Sequence, residues 1–293
     1  MTLDTASRRT DAIEREIDHA RTHGALQQIV VPPCPELLVQ LQAALAGAEP
    51  DLSQVARIAG SDVAMSATLI RQANSPLYAA GQPAQTVGQA MNRLGLDHTA
   101  AVLRHYLARH AIRADARALT RFWEHSGARA TALGHIATRL PGLSPDLAHT
   151  YGLFCHVGLP VLLQSVRGYA GTLVEANARI DRPFIATENA NHRTDHAVVG
   201  ALVARVWRLA PPVMAAIRLH HDLAALASDG VEAEVRTLVA AGLVAEHLVR
   251  LHEHLPPEAD WRDHGEAALH WLGVGLDEVE TWNEELVAVF AAM

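Results

Sequence analysis

Apolar residues recur along this chain with the spacing of a helix. In residues 35–45, PELLVQLQAAL, the apolar positions Leu37, Leu38, Leu41 and Leu45 form one stripe, which is the periodicity of a helix face. The same spacing returns in short to medium segments at about 9–23, 62–74, 85–95, 97–112, 115–140, 145–157, 168–180, 183–191, 194–208, 211–222, 231–252 and 276–291. No alternating pattern long enough for a strand occurs, so the sequence predicts an all-α fold.

Capping and breaking residues mark several helix ends. Ser144 followed by Pro145 predicts a helix start, because Ser caps a helix and Pro is favoured at its first position. Gly95 predicts a C-terminal cap, and Thr194 predicts the N-cap of the helix that it precedes. The last helix, 276–291, is expected to present one apolar face, made of Leu276, Val279, Leu286, Val287 and Phe290.

Composition excludes several classes of function. A net charge of −8 argues against a nucleic-acid partner, which needs a basic footprint. All 24 basic residues are Arg, so a P-loop lysine or a Schiff-base lysine is absent. Only two cysteines are present, which is too few for a disulfide scaffold. With no secretory signal and no apolar run long enough to span a membrane, we expect a cytoplasmic protein.

Histidine is the residue type that carries candidate chemistry. The chain has 18 histidines, and six of them stand inside otherwise apolar helical segments: His125, His135, His156, His196, His220 and His221. A single such histidine is more often a hydrogen-bonded core residue than a ligand. The His192 and His196 pair has the spacing of a zinc protease, but Arg193 stands where the general-base Glu is needed, which excludes that class.

In the first half of the chain the block LIRQANSPLY (69–78) is followed by AMNRLG (90–95). These two blocks resemble the core of HDOD domains, the HD-related output domains of bacterial signalling proteins. The residues that carry this resemblance are Arg71, Asn74, Ser75, Tyr78, Leu94 and Gly95. The blocks FWEHSGARA (122–130), YGLFCHVGLPVL (151–162), DHAVVGALVARVW (195–207) and IRLHHD (217–222) follow in the family's order.

The resemblance implies a domain organisation. An N-terminal helical half, about 29–112, is expected to pack on an HD-like half, about 115–225. Together they would form an HDOD domain over residues 29–225. A helix within residues 1–28 would precede this domain, and a helical extension, 226–293, would follow it.

The chain departs from catalytic relatives at their metal ligands. The resemblance implies that such relatives hold metal with a first His, a His-Asp pair and a later Asp, with a Lys after the pair's Gly. His125 and His156 match the two histidines, whereas Val157 replaces the Asp of the pair and Leu159 replaces the Lys. The later Asp should fall within 238–247, which contains none. On this interpretation the carboxylates and the lysine are lost, and no residue is assigned as catalytic.

The resemblance implies that His196, His220 and His221 match accessory positions of the metal sites in HD-GYP domains, which are among the catalytic relatives. We therefore expect a degenerate pocket formed by His125, His156, Val157, His196, His220 and His221. His220 and His221 are adjacent in a predicted helix, where neighbours project about 100° apart. Only one of the two is then expected to face the pocket.

The resemblance implies a non-catalytic regulatory or scaffolding module in bacterial signal transduction. We expect no cofactor and a signalling protein as partner, for example in a cyclic-dinucleotide or two-component pathway, with neither nucleic acid nor membrane involved. A ligand sensor that uses the vacated pocket stays open as a variant of this function. The alternative is a degenerate phosphohydrolase that holds a metal through His125, His156, His196 and His220, because imidazoles alone can bind a late first-row metal.

Overall fold

The computed structural model describes residues 7–23, 25–46, 49–76, 78, 81–112, 116–179 and 181–291. All regular structure in these ranges is helical, which confirms the all-α prediction. The α-helices are α1 (Ser7–His23), α2 (Glu36–Leu45), α3 (Leu52–Gly60), α4 (Val63–Ala73), α5 (Val87–Ala111), α6 (Ala116–Ala137), α7 (Pro145–Phe154), α8 (Gly158–Ser165), α9 (Tyr169–Ala178), α10 (Phe184–His192), α11 (His196–Val206), α12 (Pro211–Leu219), α13 (Ala233–His252), α14 (Ala259–Leu272) and α15 (Leu276–Ala291). Two 3₁₀ segments, Ala25–Gln28 and Leu223–Ala227, join them.

Predicted signals set two of the helix ends in this fold. The Ser144 side chain accepts a hydrogen bond from Leu147 N and caps α7, with Pro145 at the first helical position. Gly95 interrupts α5 with φ 76° and ψ 173°, a backbone region open essentially to glycine alone. The two predicted helices 85–95 and 97–112 are therefore consecutive parts of one broken helix.

The predicted N-cap of α11 is wrong by one residue. The Asp195 carboxylate accepts a hydrogen bond from Val198 N at 2.9 Å, and its backbone is extended, whereas Thr194 Oγ1 is buried with no hydrogen-bond partner among the described residues. Asp is at least as good an N-cap as Thr. This places His196 at the first position of α11.

Helix α14 was not predicted from the sequence, whose helical periodicity in this part of the chain predicts only the segments 231–252 and 276–291. Its apolar stripe is narrow, because only Gly265, Ala268 and Leu269 are buried. It packs against α13. The predicted face of α15 is also partly wrong, since Leu276 and Val287 are exposed while Trp282 and Val289 are buried.

The chain divides into two compact units. One comprises residues 1–32 and 114–283, and the other comprises residues 33–113 and 284–293. The first unit contains all the histidines of the expected pocket, and the second contains the Asn-Ser block of the family resemblance. The domain boundaries derived from the resemblance stay a prediction.

Two glycines in the first unit allow α8 and α11 to touch through their backbones. A Cβ atom on Gly158 would lie 2.1 Å from the carbonyl oxygen of His196 and 2.8 Å from Gly200 N. A Cβ atom on Gly200 would lie 2.9 Å from the Ile217 side chain. This contact holds the start of α8, and with it His156, against the first turn of α11.

Replacing Gly158 by Ala should lower the free energy of unfolding by about 3 kcal/mol or more, because backbone atoms must move apart to admit the methyl group. Gly171→Ala in α9 is the matched control, since nothing lies within 4 Å of its Cβ position; it should be neutral or slightly stabilising. Denaturant unfolding of both variants measures this. Equal stabilities for the two variants would contradict the close contact.

Candidate functional site

Four histidines from three chain segments converge in the first unit. His156, His196, His220 and His221 each offer one ring nitrogen, and these four nitrogens lie within 4.8 Å of one another. His156 lies between α7 and α8, His196 begins α11, and the other two follow α12. His196 and His220 are buried, whereas His156 and His221 are partly exposed. The cluster therefore reaches solvent on one side.

The expectation that His220 and His221 diverge is wrong. Helix α12 ends at Leu219, and the following residues form a tight turn closed by Asp222 N donating to Leu219 O at 2.8 Å. The 100° relation of helical neighbours does not hold in this turn. The two ring centroids lie 4.1 Å apart, and both rings join the cluster.

His196 is oriented by a buried carboxylate. Its Nδ1 lies 2.7 Å from Glu188 Oε2, and Glu188 is fully buried. Tyr169 donates its hydroxyl to the other oxygen of Glu188. Both oxygens of this carboxylate are thus satisfied, and the charge of Glu188 is directed at the imidazole.

His220 and His221 are oriented in the same manner by acceptors outside the cluster. His220 Nδ1 donates to the carbonyl oxygen of Ile217 at 2.7 Å, and His221 Nδ1 lies 2.6 Å from Asp260 Oδ2. Asp260 belongs to α14, the helix that the sequence analysis missed. Acceptors at Nδ1 place the proton there and leave Nε2 as the inward atom.

The inward nitrogens approach one another closely. His196 Nε2 lies 3.1 Å from His220 Nε2 and 3.2 Å from His221 Nε2. Burial and the neighbouring cationic groups hold the pKa of His156 and of His220 well below the usual value. Burial also opposes the charged form of His221, but the Asp260 carboxylate outweighs it and raises that pKa.

A second polar network adjoins the cluster through Arg129. This guanidinium is buried; it donates from Nε to Glu246 Oε2 at 2.8 Å and from Nη2 to His156 Nδ1 at 3.3 Å. Burial would raise the pKa of Glu246, but Arg129 and His125 hold it well below its usual range. Glu246 is therefore an ionised carboxylate beside the cluster.

His125 belongs to this second network and not to the four-imidazole cluster. Its Nε2 lies 2.9 Å from Glu246 Oε1, and its Nδ1 lies 3.0 Å from Glu253 Oε1. Burial lowers the pKa of His125, and the two carboxylates raise it above its ordinary value overall. Both ring nitrogens are occupied by carboxylates.

The interpretation that the carboxylates are lost needs correction. Glu246 lies within the segment 238–247, where an Asp was sought, and its carboxylate faces the pocket region. Sequence reasoning also missed Arg129, Glu188 and Asp260. Arg129 stands four residues after His125, on the same face of α6, which is the one signal that was available for it.

The residues that match the metal ligands of catalytic relatives do not fit a metal in that arrangement. His156 Nδ1 and Glu246 Oε2 are both bonded by the guanidinium of Arg129, and Val157 is fully buried in place of the Asp. His125 is bound by two carboxylates. A cationic side chain already satisfies the groups that would hold the ion.

The residues of the family resemblance lie in the second unit and have structural contacts. Asn74 exchanges two hydrogen bonds with the backbone of Ala84, at 2.7 and 2.8 Å, and accepts a third from Arg93 at 2.9 Å. The ring of Tyr78 packs edge-on against His98. Leu94 is buried, Gly95 breaks α5, and Arg71 bonds Thr68. These contacts hold the connection between α4 and α5 in place.

Comparisons with known proteins agree with the fold. Residues 31–223, more than half of the chain, match the family model of the HDOD domain. A curated uncharacterized protein of Treponema pallidum (strain Nichols) is 25% identical over 198 residues, which is 66% of this chain and only 38% of that protein. Within the described residues no helix is both long and apolar enough to cross a membrane.

Three solved structures are similar over nearly the whole chain. An HDOD domain protein of unknown function from Geobacter sulfurreducens has a TM-score of 0.75 at 20% identity, covering 96% of this chain and 97% of that one. A Marinobacter aquaeolei VT8 protein, provisionally described as a signal transduction protein, has a TM-score of 0.73 at 20% identity, and the match covers 100% of this chain and 67% of that one. A Shewanella amazonensis SB2B protein, provisionally described as a phosphohydrolase, has a TM-score of 0.70 at 18% identity, and the match covers 95% of each chain.

The Arg129 and Glu246 pair should be strongly coupled. Glu246→Met should lower the free energy of unfolding by about 3–5 kcal/mol, because it leaves a buried guanidinium without its carboxylate. The double variant Arg129→Met with Glu246→Met should be more stable than Glu246→Met alone. Denaturant unfolding of the wild type, the two single variants and the double variant completes a double-mutant cycle, which measures the coupling free energy of the pair. Strictly additive losses would show that the two charges do not interact.

Val157→Asp should destabilise the protein in metal-free buffer by about 3 kcal/mol or more at pH 7, because the new carboxylate is buried without a partner. Val157→Asn is the uncharged control and should lose less. Burial raises the pKa of the introduced acid, so the folded state keeps its proton to higher pH than the unfolded state. The gap between Asp and Asn should therefore shrink as pH falls and close near pH 4. Melts from pH 4 to 8 test this, and a pH-independent gap would refute it.

Proposed function

We propose, starting from the fact that this chain belongs to the HDOD domain family, that it is a non-catalytic regulatory or scaffolding module of bacterial signal transduction. The observation that carries the proposal is the position of Arg129. Its guanidinium bonds His156, which matches the histidine of the His-Asp pair, and Glu246, the acid within the segment 238–247 where the later Asp was sought. A permanent side-chain cation thus replaces the charge that a catalytic metal would bring there.

Two features support the absence of turnover. A metal-dependent hydrolase needs a ligand set that leaves a position free for water, and it needs carboxylates that hold the ion. Here Val157 places an isopropyl group at the position of the paired Asp and is fully buried. A guanidinium has no acceptor and does not deprotonate in proteins, so Arg129 cannot generate a hydroxide nucleophile.

The partner in this proposal is another signalling protein, for example of a two-component or cyclic-dinucleotide pathway. Support comes from the family and from the Marinobacter protein, which carries a provisional signal transduction description. The chain spans 38% of its curated relative, so the partner and the pathway are part of the proposal alone.

The second candidate is a phosphohydrolase that retains a metal on the histidines. The four converging imidazoles favour it. It differs from the first proposal by one measurable property, which is turnover.

The purified chain should not hydrolyse cyclic dinucleotides, (p)ppGpp or a generic phosphodiester when Mg²⁺, Mn²⁺ or Fe²⁺ is supplied. His156→Ala, prepared in parallel, is the control for contaminating hydrolases. We expect the same rate for both proteins, at the level of buffer. Wild-type turnover above the control would overturn the non-catalytic function and favour the second candidate.

A further inference from the structure

We propose that His196, His220 and His221 form a three-imidazole site for a late first-row divalent metal, with zinc as the best fit. This site is separate from the His125, His156 and carboxylate arrangement of catalytic relatives, which Arg129 occupies. It needs no turnover, so it goes beyond the proposed function and does not depend on it.

Counting protons on the three rings gives the first argument. The acceptor of His220 Nδ1 is a backbone carbonyl, which cannot donate, so the proton is on Nδ1. The acceptors of His196 and His221 are the carboxylates of Glu188 and Asp260, which assign their protons in the same way. Each neutral ring then directs an Nε2 lone pair inward. A shared cation can satisfy three lone pairs that face one another.

Distances give the second argument. Zinc binds histidine nitrogen at about 2.0–2.1 Å, and tetrahedral geometry then separates two ligand nitrogens by about 3.3–3.4 Å. His196 Nε2 lies 3.1 Å from His220 Nε2 and 3.2 Å from His221 Nε2. Ring movements of a few tenths of an ångström would bring these nitrogens to the coordination distance.

Charge gives the third argument. Three neutral imidazoles leave the charge of a divalent ion uncompensated within the first layer of ligands. Glu188 and Asp260 supply two negative charges directly behind His196 and His221. Carboxylates that accept a proton from a ligating imidazole orient the ring and raise its basicity, which is the usual support of a histidine metal site. Imidazole ligands select Zn²⁺ and its late first-row neighbours over Mg²⁺ or Ca²⁺.

His156 is excluded from the ligand set by Arg129. The guanidinium donates to His156 Nδ1 at 3.3 Å. A neutral His156 therefore carries its proton on Nε2, and that nitrogen has no free lone pair for a metal. The ring lies beside the site, with its centroid 4.8 Å from that of His220 and 5.2 Å from that of His196. A fourth coordination position is therefore left for water or for an anionic group of a ligand.

The test uses the full chain, produced without a polyhistidine tag or a chelating resin and then stripped of metal. Titration with ZnCl₂ against a competing chelator should give one zinc per chain. His221→Ala, which alters a partly exposed turn residue, should weaken zinc at least 100-fold, as should His196→Ala. His270→Ala, on the exposed face of α14, is the matched control and should bind like wild type.

Two further variants separate a metal site from a merely structural histidine cluster. Asp260→Asn keeps an acceptor for His221 but removes the charge, and it should weaken zinc about 10- to 100-fold. His156→Ala should change the affinity less than 10-fold. Replacing zinc by Co²⁺ should give the intense visible absorption of a four-coordinate ion in wild type and in His270→Ala. Circular dichroism and thermal melts of every variant establish that it is folded.

The result 'an adventitious ion only' would refute the site. In that case wild type, His221→Ala and His270→Ala would all bind zinc with the same weak affinity. Loss of zinc in His156→Ala but not in His221→Ala would refute the ligand set. Neither result bears on hydrolysis, which the assay of the proposed function measures independently.

Discussion

The backbone contact between α8 and α11 is the constraint on which the site depends. Gly158 lies so close to the carbonyl oxygen of His196 that a Cβ atom would sit 2.1 Å from it. Backbone atoms in contact cannot slide as side chains can. The turn that carries His156 is therefore held in one place against the first turn of α11. The position of His196 relative to His156 follows from this contact, and the residues after α12 complete the cluster.

His156 is the residue at which two polar networks of opposite character meet. On one side, Arg129 joins it to Glu246 and so to a set of charged groups that neutralise one another. On the other side, imidazoles face inward with carboxylates behind them. Buried charges are tolerated only when they are paired, and both networks meet that condition. In the first network Arg129 holds His156 and Glu246, while in the second the Nε2 atoms of three imidazoles face one another.

Much of this architecture was predictable from local signals. The helical period, the Ser144 cap, the break at Gly95 and the family blocks all depend on residues close together in sequence, and all were confirmed. The shift of the α11 cap from Thr194 to Asp195 was a choice between two adjacent good caps. Helix α14 was missed because its buried stripe is narrow and its other positions are polar, so its periodicity was weak.

What the sequence determined by itself was the helical class, the family and the histidines from which the cluster is drawn. The tertiary structure alone decided which of those histidines meet. His125 was expected among the possible metal ligands and His221 was not, yet the first is bound by Glu246 and Glu253 while the second joins the cluster in a turn beyond α12. The carboxylates that decide this come from α13 and α14. Glu246 lies 121 residues after His125 in the chain, and Asp260 lies 39 residues after His221. A carboxylate at such a separation has no periodic signature, because only the packing of helices brings it to the imidazole.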